Sequence, residues 1–236
     1  MVNIDPRHRT KILAFYRSTV GKKIIMGVTG LIGVGFVIAH MAGNLQAFIG
    51  PQKLNAYGAT LHGSLGELLW LVRIVLIAAV ILHVLMAYQL TRLSAAARPV
   101  DYEQRTPQVA TLASRTMKWG GVLLLVFIVL HILHFTTETI DPGGWRGTTD
   151  SLGQRDVYGN LIASFRIWWV SAFYIVAMIA LGMHLYHGAW SSVRTLGYAK
   201  ASQHPLHRKI ALTVAIVVWL GFTLVPVGVL AGLIRG

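Results

Sequence analysis

The sequence predicts an all-α membrane protein, a single bundle of five transmembrane helices spanning the whole of residues 1–236. Three observations carry that expectation. Of the 236 residues, 55% are hydrophobic and only 12% charged, with a mean hydropathy of +0.60, whereas soluble domains carry about 25% charge. Five apolar runs each reach the roughly 17–25 residues that cross a hydrocarbon core. Basic residues collect in alternate connections between those runs.

The first 23 residues are polar and basic, with Arg7, Arg9, Lys11, Arg17, Lys22 and Lys23 against Asp5. The apolar run that follows is too long for a signal-peptide core and has no small-residue cleavage site, so it is expected to stay as span one, 24–42. Its glycines (Gly27, Gly30, Gly33, Gly35) lack the strand and βαβ setting of a dinucleotide fingerprint. They suit close approach of another helix or a flat cofactor.

Residues 43–66 read as a connection with Pro51, Asn55 and Gly58. Span two, 68–90, contains Arg73 and His83. A polar stretch with Arg92, Arg98, Arg105, Arg115 and Lys118 leads to span three, 119–136. The next connection is the most acidic part, with Glu138, Asp141, Asp150 and Asp156, and Pro142-Gly143-Gly144 marks a turn. Span four, 167–190, opens on Trp168-Trp169, an interfacial pair. Arg194, Lys200, Arg208 and Lys209 precede span five, 210–234.

The net charge is +13, yet the basic residues lie between apolar runs and make no basic helix face, so nucleic acid is not the expected partner; anionic membrane lipid is. The amino-terminal segment and the second and fourth connections hold 15 Lys/Arg against 5 on the other side. The positive-inside rule puts the N-terminus in the cytoplasm and the C-terminus outside.

Four histidines lie late in their spans: His40, His83, His131 and His184. Imidazole in hydrocarbon is costly and signals function. With no cysteine in the chain, iron–sulfur clusters held by Cys, zinc–thiolate sites and c-type haem attachment are excluded. At 1.5 Å per residue, His40 and His131 fall about 26 and 20 Å from the cytoplasmic face, and His83 and His184 about 24 and 27 Å from the outer face. The four therefore sort into an outer pair, His40 with His131, and an inner pair, His83 with His184. Each pair fits a bis-imidazole b haem. Zinc would want four ligands at one depth, and a histidine proton relay, the stronger rival, leaves the two-by-two layering unexplained. His134 and His187, three residues after His131 and His184, are alternative ligands on nearly the same faces. His62 is expected in the outer loop, and His8, His204 and His207 in solvated flanks.

The stretches His184-Leu-Tyr-His-Gly-Ala-Trp-Ser-Ser, Leu-His83-Val-Leu-Met-Ala-Tyr, Ala-His40-Met-Ala-Gly-Asn-Leu and Leu-His131-Ile-Leu-His-Phe resemble one family over about residues 12–234. It is the five-helix, single-chain dihaem cytochrome b anchor of succinate dehydrogenase or quinol:fumarate reductase (complex II). The resemblance implies two b haems, a distal one on His40 and His131 and a proximal one on His83 and His184. It implies a flavoprotein and an iron–sulfur subunit docked on the cytoplasmic face of a bacterial inner membrane, and a quinone, usually menaquinone, as electron partner. The anchor itself would not oxidise succinate, and whole complexes of this kind often form trimers. Glu67 is the quinone candidate on the outer side, with Arg73 about 9 Å deeper as its partner or that of a haem propionate. Ser18, Lys22 and Arg17 are candidates on the inner side. The alternatives are a cytochrome b subunit of another dehydrogenase, of formate dehydrogenase or hydrogenase type, and a haem-free histidine-relay transporter.

Overall fold

The computed structural model describes residues 6–97, 112–198 and 204–235; Arg98, Arg105 and Lys200 of the basic connections lie outside them. It is 82% helical. Among the described residues the only extended pairing is an isolated bridge between Thr149 and Arg155, so the all-α expectation holds. The helices are α1 (Pro6–Arg17), α2 (Thr19–Asn44), α3 (Pro51–His62), α4 (Gly66–Ala96), α5 (Leu112–His131), α6 (Val157–Phe165), α7 (Trp168–Thr195) and α8 (His204–Leu230). Five stretches are long and apolar enough to cross a membrane: Thr19–Phe48, Gly66–Ala96, Leu112–Thr136, Trp168–Thr195 and Pro205–Leu230.

All five spans run longer than the apolar windows did, because polar residues at their ends continue the helices. The fifth starts ahead of its window, at Pro205, but ends early, at Leu230. Gly232 adopts φ +68°, the left-handed cap glycine tolerates, and the chain turns so that Ile234 packs back beside Gly228 at 3% exposure.

Among the described residues, the amino-terminal segment and the first and third connections also hold helices. Ser18 breaks α1 from α2 with an extended backbone (φ −72°, ψ 148°), and its Oγ accepts from the Gly21 amide at 2.9 Å, an N-cap. Residues 43–66 hold α3, started by Gly50 (φ +129°) and by Pro51 in its first turn. Residues 137–165 hold α6, capped by Asp156 accepting from the Gly159 amide at 2.9 Å. Asn55 of α3 ties these pieces together: its Nδ2 donates to Asp156 (2.9 Å) and Asp150 (3.3 Å), and its Oδ1 accepts from the Tyr158 amide (2.9 Å). We call this the capped end, and the end bearing α1 the basic end.

α7 is the central helix, packed on α2, α5, α6 and α8, while α2 also packs on α4. At the capped end Phe127, Tyr158, Ile162, Phe165, Tyr174 and Val225 form the larger apolar core; Met41, Leu185, Ala215 and Val218 form a smaller one. Neither α2 with α5 nor α4 with α7 is a close-packed pair. Those two diagonals carry the histidines.

Candidate functional site

Across the α2/α5 diagonal the His40 and His131 ring centres lie 5.8 Å apart, their planes at 76°. Across the α4/α7 diagonal His83 and His184 lie 6.0 Å apart, their planes at 57°. The first pair is near the capped end, the second toward the basic end. Two imidazoles on one metal, each nitrogen about 2 Å from it and about 1.1 Å from its ring centre, place the ring centres about 6 Å apart. Both pairs stand at that spacing. Among the described residues no group of three or more His, Asp and Glu converges on one point, so the candidate metal chemistry is pairwise.

The rings are held from their far sides. His83 Nδ1 bonds the Met26 carbonyl at 3.0 Å, with Thr29 Oγ1 at 3.3 Å. A neutral imidazole whose Nδ1–H faces a carbonyl keeps its lone pair on Nε2, the form a metal takes. His131 Nδ1 lies 3.3 Å from the Tyr174 hydroxyl. Phe36 stacks on His40 (5.3 Å, 11°) and Phe127 on His131 (5.6 Å, 24°). His184 Nδ1 is buried without a hydrogen-bond partner. Asn44 Nδ2 rests 3.4 Å from His40 Nε2, a contact at the long limit that a metal bound at that nitrogen would displace. All four rings are half-buried, so part of each is open.

Backbone comes close as well. A Cβ at Gly30 would stand 3.2 Å from His83 Cε1, and one at Gly121 would stand 3.9 Å from His184 Cε1. Gly33 and Gly120 have nothing within 4 Å of the place a Cβ would take. Glycines on α2 and α5 thus leave room beside the histidines, and the donor set fits a flat bis-imidazole group.

The alternative ligands part company with the four. His134 is 6% exposed and both its nitrogens are engaged, Nδ1 with the Tyr174 hydroxyl and Nε2 with Ser164 Oγ, each at 2.9 Å. The cause is a π turn, Ile132–Thr136, that ends α5; its wider winding turns His134 away from His40 toward α6 and α7. At the other level the ring facing His83 belongs to His184, not His187.

The outlying candidates take other places. Glu67 is exposed, and the Arg73 guanidinium lies over the Trp70 ring at 5.0 Å instead of against Glu67. Arg17 is exposed. Ser18 is occupied as a cap, its Oγ also donating to Phe15 O at 2.8 Å. Lys22 is only 6% exposed; Nζ donates to the Tyr16 and Arg17 carbonyls at 2.7 and 3.2 Å and sits over the Tyr16 ring. It therefore closes the C-terminus of α1, with its ammonium engaged there. His62 ends α3, not a loop, and its Nδ1 donates to Gly58 O at 2.9 Å. His207, expected in a solvated flank, is half-buried within α8 with a buried Nδ1. His8 and His204 belong to α1 and α8, and their side chains lie outside the described residues.

Sequence reasoning passed over Tyr174, Ser164 and Thr29, which meet the histidines from other helices. A tyrosine ten residues before His184 is the one signal that could have pointed to them. No family model, curated protein or solved structure matches the chain.

Proposed function

We propose that this chain is the membrane-anchoring cytochrome b subunit of a succinate:quinone oxidoreductase, with two b haems, one held by His40 and His131 and the other by His83 and His184. The observation that carries the reading is the pair of ring spacings, 5.8 and 6.0 Å, on opposite diagonals of one bundle. A haem with two imidazole ligands supplies one-electron transfer at an iron without an open position. The residues around it here orient His83 and His131 through Nδ1 and leave glycine-lined room beside the histidines.

In this reading the basic end faces the cytoplasm of a bacterium and carries the flavoprotein and iron–sulfur subunits. Lys22 supports that end by locking α1 to α2. The capped end faces outward, and the electrons pass to or from a membrane quinone, menaquinone by the family resemblance. Glu67 stays the proton-handling candidate at the outer surface because a carboxylate at an aqueous edge can exchange protons with quinone oxygens.

The test is the reduced-minus-oxidised visible spectrum of the purified full chain, with haem counted per polypeptide. A b-type spectrum with two haems per chain is expected. Replacing His83 or His184 should remove one of the two and leave the other. A colourless protein would overturn the reading in favour of a haem-free transporter.

A further inference from the structure

The His131 ring does not stop at Tyr174. Tyr174 Oη bonds His134 Nδ1 (2.9 Å), His134 Nε2 bonds Ser164 Oγ (2.9 Å), and Ser164 Oγ bonds Asn160 Oδ1 (3.2 Å). Asn160 Nδ2 then donates to Glu138 Oε1 (3.1 Å). Tyr174, His134, Ser164 and Asn160 are all buried, at 8%, 6%, 0% and 6% exposure. The Glu138 carboxylate ends the chain, where it also accepts from Arg155 Nε at 2.9 Å.

The direction of every bond follows from that carboxylate. Glu138 only accepts, so Asn160 points its NH₂ at it and turns its carbonyl to Ser164. Ser164 therefore donates to Asn160 and has no proton left for His134. His134 must then donate from Nε2, which leaves Nδ1 as an acceptor for the tyrosine proton. Tyr174, having given its proton away, can only accept from His131 Nδ1–H. The Nε2 lone pair of His131 is thereby free on the side of His40.

The terminus is built with care. Glu138 has φ +51°, a left-handed conformation that costs a non-glycine residue of order 1–3 kcal/mol and persists only where its surroundings hold it. Arg155 and Asn160 hold it, and Arg155 Nη2 also donates to Phe135 O at 2.9 Å, pinning the π turn that aims His134.

We propose that Tyr174, His134, Ser164, Asn160 and Glu138 are positioning residues that fix the tautomer of His131 and raise its electron donation through an acceptor chain ending at the Glu138 carboxylate, which is itself ion-paired with Arg155. The inference rests on reading His131 as an iron ligand. His83 has no such chain; its Nδ1 meets a backbone carbonyl. The effect is therefore confined to the capped-end pair.

The experiment is a redox titration of the full chain and of Tyr174→Phe, resolving the two haems by electron paramagnetic resonance. Loss of the acceptor should favour the reduced form of the capped-end haem about tenfold, an upward shift of about 59 mV for one electron. The other haem should not move. Ser164→Ala breaks the chain two bonds further out and should shift the same haem the same way by less; it decides the matter if Tyr174→Phe does not assemble. Two haems with unchanged potentials in whichever variants assemble would overturn this inference alone. No haem in the unsubstituted protein would overturn the functional reading beneath it.

Discussion

A side chain at Gly30 should empty one histidine pair and spare the other. A Cβ there would lie 3.2 Å from His83 Cε1, against an ordinary carbon–carbon contact of about 3.5–4.0 Å. The ring must yield by about 0.3 Å or more, beyond the roughly 0.2 Å tolerance of a metal–ligand bond. It cannot yield freely, because its Nδ1 is tied to Met26 O at 3.0 Å, and breaking that bond costs about 0.5–1.5 kcal/mol. Gly30→Ala should weaken binding at the basic-end pair by about 10–100-fold, the usual effect of disturbing a ligand's support. Gly30→Val should lower the content from two haems per chain to one. Haem is quantified against polypeptide, with circular dichroism to show that the helices persist. Two haems with an unaltered spectrum in Gly30→Val would refute the reasoning, since His83 could not then be gripping a metal beside that glycine.

Three further outcomes follow from the same geometry. His134→Leu should keep both haems but leave the Tyr174 hydroxyl and Ser164 Oγ short of a buried partner, at about 1–3 kcal/mol each, seen as a lower melting temperature. Lys22→Met removes the Nζ bonds to the Tyr16 and Arg17 carbonyls and should expose the link between α1 and α2 to limited proteolysis with haem content unchanged. Asp141 is pulled up by desolvation, yet the amides of Trp145, Arg146 and Gly144 outweigh that and hold its carboxyl below the usual range. A depressed carboxylate stabilises above its unfolded pKa and loses that contribution as pH falls through the folded value. The protection of the 141–147 amides against hydrogen exchange, taken relative to the intrinsic rate at each pH, should therefore fall as pH drops below the ordinary carboxylate range, and Asp141→Asn should flatten that dependence.

The pairing of the histidines was legible because it needs little. Helical rise and the alternation of basic connections assign each ring a level, and level alone joins His40 to His131 and His83 to His184. The structure brings together those same rings. Choosing between His131 and His134 was harder, since three residues of regular helix leave both on one face. The choice turns on the π turn at 132–136 and on Tyr174 and Ser164, partners 40 and 30 residues away. The helices hidden in the connections were missed for a related reason. α3 and α6 are short, of 12 and 9 residues, and isolated helices under about 12–15 residues are marginal. They persist because Asn55, Asp156 and the capped-end core hold them, and no local pattern encodes that. Lys22 read as an inner-side quinone candidate because nothing in the sequence shows that the chain folds back to offer it two carbonyls.

The layout between the two histidine levels bears on which rival survives. On α2 the residues 30–39 between Thr29 and His40 are all apolar or glycine, and on α7 so are residues 175–183 between Tyr174 and His184. Ten helical residues separate the levels by about 15 Å. The polar chain that starts at His131 runs away from this gap, toward Glu138 at the capped end. Among the described residues no hydrogen bond joins it to His83 or His184. A histidine relay for protons requires hydrogen-bonded groups in sequence from one level to the next, because a proton moves only between neighbours in contact. One-electron transfer makes no such demand of the side chains between two sites. The apolar stretches of α2 and α7 between the levels offer no side-chain relay on those two helices and so favour the electron-carrying proposal over a histidine relay, and a proton-flux assay in vesicles containing the full chain alone should register no conduction.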